Sequence, residues 1–254
     1  MFSAAFSMQP QRHDAIDALR GFALVWMAVF HFCFDLNYFG YLHQDFHNGL
    51  FWTSQRSIIL SLFLFCAGLG QSVAATQGLG NTRFWRRWCQ VAAAAMLVSF
   101  GSWLMFPRSF IHFGVLHGIA LMLIAARLSS GSRARTLFGL GVLAVAVWLL
   151  GSWALAGSGV EALLNSAWLN WLGIITRKPI TEDYVPLLPW LAVVWWGMAV
   201  GHWLQVRRPQ WLAWRLGRAG AGLAVLGRWS LSFYLLHQPV LLAGLLLVRV
   251  LTRS

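Results

Sequence analysis

The segment RGFALVWMAVFHFCFDLNYFG, residues 20–40, decides how the chain folds. Residues 21–40 are almost wholly apolar, and about 20 such residues suffice for a helix to cross the hydrocarbon core of a bilayer. Inside that run stand His31 and Asp35, with Arg20 at its start. On a helix, Arg20 and His31 fall within about 20° of one face and about 16 Å apart along the axis. Asp35 follows His31 by four positions, so it shares the face and is expected to reach the imidazole.

Six further apolar stretches resemble the first in length: 57–75, 89–106, 111–126, 137–156, 187–204 and 230–248. The fourth span in chain order, 111–126, is the shortest and carries His112 and His117. Pro186 and Pro189 mark the start of the sixth, where a missing N–H costs little. The fold class expected is all-α: a polytopic membrane protein of about seven transmembrane helices, or eight if 160–175 also crosses. That stretch is apolar but short, and it reads equally as a re-entrant or interfacial piece. Residues 211–227 mix Trp with Arg215 and Arg218 and read as an interfacial amphipathic helix. One transmembrane domain, 1–254, is the economical organisation, with 1–17 as a cytoplasmic tail.

Composition agrees. Of the 254 residues, 59% are hydrophobic and 10% charged, where a soluble domain carries about 25% charged residues. The charge is basic, 19 Lys+Arg against 7 Asp+Glu. A nucleic-acid partner is the wrong reading, because the arginines sit in short loops between apolar runs. Cys33, Cys66 and Cys89 build neither a disulfide framework nor a zinc spacing, and no ligand cluster suggests a metal. The first residues lack an apolar h-region, so no cleavable signal is expected and the first helix would direct insertion.

With the amino terminus inside, Arg12, Arg20, Arg83, Arg86, Arg87, Arg127, Arg133, Arg135, Arg207, Arg208, Arg215, Arg218 and Arg228 face the cytoplasm. Arg56, Arg108, Arg177, Lys178, Arg249 and Arg253 lie outside. That asymmetry favours a cytoplasmic amino terminus. An eighth crossing would reverse the Arg-rich loop before the last helix, which argues against it.

Ionisable groups deep in a bilayer are costly and usually functional. His31 and Asp35 are therefore the candidate catalytic residues, with the carboxylate fixing the tautomer of the imidazole and raising its basicity. The alternative is a structural pair that glues helices together. Arg83, Arg86 and Arg87 interleave with Phe84, Trp85 and Trp88. Arginine suits bidentate phosphate binding and the rings could stack a base. A basic loop with Trp is also an ordinary membrane anchor. His117 and His237 would line the same cavity or bond across helices, whereas His202 reads as an interfacial anchor. Glu182 and Asp183, ahead of Pro186, would bind an acceptor or form a solvated loop pair.

The run Ile16-Asp17-Ala18-Leu19-Arg20-Gly21-Phe22-Ala23-Leu24, followed by His31, resembles the opening of the transmembrane acyltransferase superfamily. It is most similar to bacterial relatives of the heparan-alpha-glucosaminide N-acetyltransferase catalytic domain. Arg20 and His31 match an Arg-x10-His motif of that superfamily, and Arg83 and Arg86 match an Arg-x-x-Arg motif in the next cytoplasmic loop. Further stretches fit along nearly the whole chain: Phe113-Gly114-Val115-Leu116-His117, Thr181-Glu182-Asp183-Tyr184-Val185-Pro186, Gly227-Arg228-Trp229-Ser230 and His237-Gln238-Pro239.

The resemblance implies an acyltransferase of the bacterial cytoplasmic (inner) membrane, moving an acyl group, acetyl above all, from cytoplasmic acetyl-CoA to an external glycan or glycolipid. Arg20, Arg83 and Arg86 would hold the CoA phosphates. His31, oriented by Asp35, would be the general base, with Glu182, Asp183, His117 and His237 toward the acceptor. Membrane lipids would be the other partners. The resemblance also implies a histidine just beyond the first helix, for which His43 and His47, near Asn48-Gly49-Leu50, are the candidates; acyl-histidine and direct transfer both remain open. A proton-coupled transporter and a non-catalytic scaffold are the rival classes. The first would use the His31–Asp35 pair as a relay, but the chain shows no inverted repeat. The second leaves the buried charge unexplained.

Overall fold

A computed structural model describes residues 12–214 and 216–252. Residues 1–11 of the expected tail, and Arg215 and Arg253 of the charge pattern, lie outside the described residues. The described chain is all-helical. In order come α1 (Asp14–Tyr38), α2 (Leu50–Thr76), α3 (Asn81–Met105), α4 (Val115–Leu128), α5 (Ala134–Leu155), the short α6 (Glu161–Leu164), α7 (Trp190–Arg207), the short α8 (Pro209–Leu212), α9 (Arg218–Arg228) and α10 (Ser230–Leu251). Among the described residues, α1, α2, α3, α5 and α10 are long and apolar enough to cross a membrane.

The two remaining expected spans are shorter. α4 has 14 residues, about 21 Å at 1.5 Å per residue. Its first four expected residues, 111–114, instead form an irregular bend that ends at the cap residue Gly114. α7 begins only after Pro189 and runs 18 residues, with its apolarity diluted by Trp, His202 and Gln205.

One alternative is set aside and one sequence expectation is corrected. Residues 160–175 form the four-residue α6 and a 3-10 turn at Asn170–Leu172, so no eighth helix crosses there. Polar groups hold this segment folded: the Asn165 amide donates to Thr176 Oγ1 at 2.8 Å, and the Tyr184 hydroxyl donates to the Asn170 carbonyl at 2.6 Å. Residues 211–227 are not one interfacial helix either. The chain turns after Leu212 and restarts at Arg218 from the cap Gly217. α9 then lies along α1, where Gly227 meets the Asp17 carbonyl and Gly21 meets that of Leu223.

Close approach of backbones is how this fold holds together, as expected where lipid tails offer no hydrophobic drive between helices. Gly68 of α2 faces the Val194 carbonyl of α7, and Gly197 of α7 faces the Phe65 carbonyl in return. One turn on, Gly201 leaves room for Ser72. α7 is thereby the hub. Its Leu191, Val194, Met198 and Ala199 pack with Leu64, Met122, Ala126 and Leu137 in the main core. The outward faces carry exposed Leu143, Leu150, Leu246 and Leu247, apolar surface that water would not tolerate in such quantity.

Along the chain the helices alternate in direction. The start of α1 therefore shares a near face with the 77–80 and 129–133 turns and with α8–α9. The far face carries 39–49, 106–114 and 156–189.

These contacts set a test. An added Cβ at Gly21 would stand 1.9 Å from the Leu223 carbonyl oxygen, whereas one at Gly139 meets nothing within 4 Å. Gly21→Ala should destabilise the detergent-solubilised protein by about 1–3 kcal/mol, an overpacking cost. Gly139→Ala should be neutral or stabilising by up to about 1 kcal/mol. Matched thermal melts check this, and equal melting temperatures would refute the close α1–α9 contact.

Candidate active site

α1 and α10 build the site between them. Asp35 is only 2% exposed, although it sits inside an apolar helix. It does not bond to His31 directly, as its i,i+4 spacing led one to expect. Gln238 of α10 reaches between them: its Nε2 donates to Asp35 Oδ1 at 2.7 Å, and its Oε1 lies 2.7 Å from His31 Nδ1. The longer amide arm from the facing helix spans a gap that the short aspartate side chain leaves open. The second carboxylate oxygen, Asp35 Oδ2, is buried with no bonding partner.

His237, one residue before Gln238, brings a second imidazole to His31, with ring centroids 5.0 Å apart and edges facing. Its Nδ1 lies 2.7 Å from the Tyr234 carbonyl, which only accepts, so that nitrogen carries the proton. The His237 Nε2 then has a free lone pair, and it is buried without a partner. Phe233 stacks on His237 and Phe30 stands edge-on to His31. Toward the far face, Phe30 meets the buried Phe46, which stacks on Trp52 with ring centroids 3.9 Å apart. His47 rests against Phe34 in the exposed loop. Among the described residues, no contact joins His43 or His47 to His31.

On the near face Arg20 donates to Asp17 at 2.9 Å. Arg228 of α9 closes the same network, 2.7 Å from Asp14 and 3.8 Å from Asp17. Arg83 and Arg86 are exposed on the first turns of α3. Arg87 stands close enough to Arg20 and Arg12 for their charges to repel. Beside them a cleft of about 480 Å³ opens between the 75–81 and 127–131 turns. Arg127 borders it, bonded to Asn81 and lying over the Phe84 ring.

The remaining expected residues are placed elsewhere. Both ring nitrogens of His117 are engaged: Nδ1 accepts from the Gly114 N–H, and Nε2 lies 3.1 Å from Ser99 Oγ, which itself donates to the Ile111 carbonyl. His117 thus ties the start of α4 to α3. Asp183 Oδ2 accepts from the Val115 N–H at 2.7 Å and caps α4, in space that only Gly114 leaves free. Burial holds the Asp183 carboxyl above its ordinary value, and that N–H and the charges of Arg56 and Lys178 offset this only in part. Glu182 bonds to Ser109 through side chain and backbone. The structure therefore brings together Asp35, His31 and His237. It leaves His117, Glu182 and Asp183 with local partners around the 106–114 turn. Gln238 was missed as a site residue; its signal was an amide beside Pro239 inside an apolar run.

An all-helical bundle of membrane-span length, with a carboxylate, an amide and two imidazoles joined between its helices, is a polytopic membrane protein with a buried polar cluster between α1 and α10. The family model described as heparan-alpha-glucosaminide N-acetyltransferase, catalytic, matches residues 12–239, and the chain belongs to that family of membrane acetyltransferases. No curated protein and no solved structure matches it.

If Asp183 acts as the cap of α4, Asp183→Ala should cost about 0.5–2 kcal/mol of stability, and Asp183→Asn, which keeps an acceptor for the Val115 N–H, should restore most of it. Melting temperatures of the two variants check this. Unchanged stability in Asp183→Ala with lost activity would instead place the carboxylate on the acceptor.

Proposed function

We propose that this protein is an acyl-CoA-dependent acetyltransferase of the bacterial cytoplasmic membrane, taking its donor on the cytoplasmic face and modifying a glycan or glycolipid on the other. The observation that carries this reading is the Asp35–Gln238–His31 chain, buried between two apolar helices of a protein in an acetyltransferase family. The orientation rests on the arginines of the near face, which the positive-inside rule assigns to the cytoplasm.

Arg20, Arg83 and Arg86 bind the donor's phosphates, and Arg87 adds to the same positive field. Guanidinium groups suit this because their planar forks meet phosphate oxygens two at a time. The cleft between the 75–81 and 127–131 turns is open to the same face and has room for part of the nucleotide. From Arg20 the α1 face leads inward, and His31 lies about 16 Å further along the axis.

At that depth the acceptor's hydroxyl or amine attacks the thioester carbonyl. His31 Nε2 takes the proton that the attack releases, and the C–S bond breaks as the new C–O or C–N bond forms. The same proton then passes to the departing thiolate, so the enzyme returns to its starting state. Asp35 acts through Gln238 as a positioning residue. Phe30, Phe46 and Trp52 keep bulk water from the thioester on the far side. No step calls for a metal.

Orientation and chemistry are tested separately. Reporter fusions after Gly80 and after Ser132 should read cytoplasmic and one after Asp45 external; a cytoplasmic signal at Asp45 would exchange the donor and acceptor sides. In purified protein with acetyl-CoA and a glycolipid acceptor pool, His31→Ala should lose transfer by about 100- to 10,000-fold, with donor binding retained. The Arg83→Ala/Arg86→Ala pair should weaken acetyl-CoA binding more than binding of a nucleotide-free pantetheine thioester. Full activity in His31→Ala, with loss in His43→Ala or His47→Ala, would move the chemistry to the far-face loop.

A further inference from the structure

We infer that Gln238 is a positioning residue that sets the tautomer of His31, relaying the demand of the Asp35 carboxylate from α1 across to α10 and back. The inference rests on the reading of His31 as the base.

It follows from what each group can donate. Asp35 Oδ1 accepts whether or not a proton sits on Oδ2, so the Gln238 amide turns its NH₂ toward it, 2.7 Å away. Its Oε1 then faces His31, and a carbonyl oxygen also only accepts. At 2.7 Å the bond therefore needs the proton on His31 Nδ1. The lone pair is left on Nε2, the nitrogen that a general base must present. Reversing any link reverses the next, so a single carboxylate dictates where a proton sits two side chains away.

An interhelical clamp would account for the same two bonds, but a clamp has no use for polar atoms left unpaired. Here the neighbouring His237 keeps Nε2 buried with no partner among the described residues, and its ring lies 5.0 Å from that of His31. With both imidazoles protonated at Nδ1, each keeps its acceptor lone pair on Nε2, and the two rings stand in contact. That suits a hydroxyl or amine about to give up a proton. The amide is also the group that can do this without adding charge, since a second carboxylate beside Asp35 would face it unneutralised in a medium where isolated charge is costly.

The test reads the tautomer directly. Protein labelled with ¹⁵N-histidine is purified in detergent, and the His31 signals are assigned by their loss in His31→Asn. The wild type should show protonated Nδ1 and unprotonated Nε2. Gln238→Met, similar in volume, removes the relay and should leave His31 in mixed tautomers. Asp35→Asn keeps both polar partners, but the introduced amide can donate to Gln238 Oε1. The Gln238 amide can then face either way, because the new side chain both donates and accepts, so His31 should lose its single tautomer and carry the proton on Nδ1 in part and on Nε2 in part. Both variants should lower kcat with the acetyl-CoA KM unchanged, Asp35→Asn by as much as about 10⁴-fold, as in other sites where an amide replaces the carboxylate that fixes an imidazole. The proposal is overturned if wild-type His31 carries its proton on Nε2, or if neither variant alters the His31 signals. Asp35→Asn keeps the buried polar bonds, so it reports even where Gln238→Met fails to fold. Full transfer by His31→Ala would remove the catalytic reading on which the inference rests while leaving the tautomer result intact, so the two failures are distinguishable.

Discussion

A carboxylate enclosed between apolar helices has no water to turn to, and the arrangement of this protein follows from how Asp35 is accommodated. In hydrocarbon every polar group must find its partner inside the protein. Asp35 finds one only because α10, the last helix in the chain, delivers Gln238 to α1, the first. The bond therefore joins the two ends of the described chain, and it places His237 beside His31 as a consequence. Hydrogen bonds between membrane helices are worth only about 1–2 kcal/mol each. Their value here lies in geometry, because the same two bonds that dock α10 also orient an imidazole.

The rest of the bundle can be understood as support for that docking. α9 runs directly into α10, and it is pinned to α1 by Gly21, by Gly227 and by Arg228 across Asp14 and Asp17. The start of α10 is thus held at a set height along α1. On the other flank, Gly68, Gly197 and Gly201 draw α2 and α7 together into the main core. His117, Asp183 and Ser99 then anchor the short α4 to α3. The motifs noted in the sequence separate by position: some meet at the buried cluster, and others cap and brace helices around it. His117 and Asp183 are among the second, through both ring nitrogens of the one and Oδ2 of the other.

Much of the fold was legible because the bilayer imposes simple rules. Apolar runs of about 20 residues between basic loops identify spans without any knowledge of packing. The two segments that pattern alone left least defined are those where the rule is weakest. Residues 160–175 are apolar but short, and polar side chains hold them: Asn165 bonds Thr176 nearby, while Asn170 lies against His112 of the 106–114 turn. Residues 211–227 have the alternation of an interfacial helix, but the Gly217 break and the two glycine contacts lay the second half against α1. Local pattern carries no information on which neighbour a helix will meet.

The same division runs through the site. Residue type and spacing alone determined that the chain is an all-helical membrane protein, that Arg20, His31 and Asp35 share one face of its first helix, and that ionisable groups stand at a depth where they are costly. These are properties of one helix, and its period of 3.6 residues settles them. Only the tertiary structure decided that Gln238 intervenes between Asp35 and His31, that His237 joins them, and that His117, Glu182 and Asp183 bond elsewhere. Each of those facts depends on the height and rotation of one helix against another. Backbone contacts at glycines set both, across separations of up to two hundred residues that no local pattern can register.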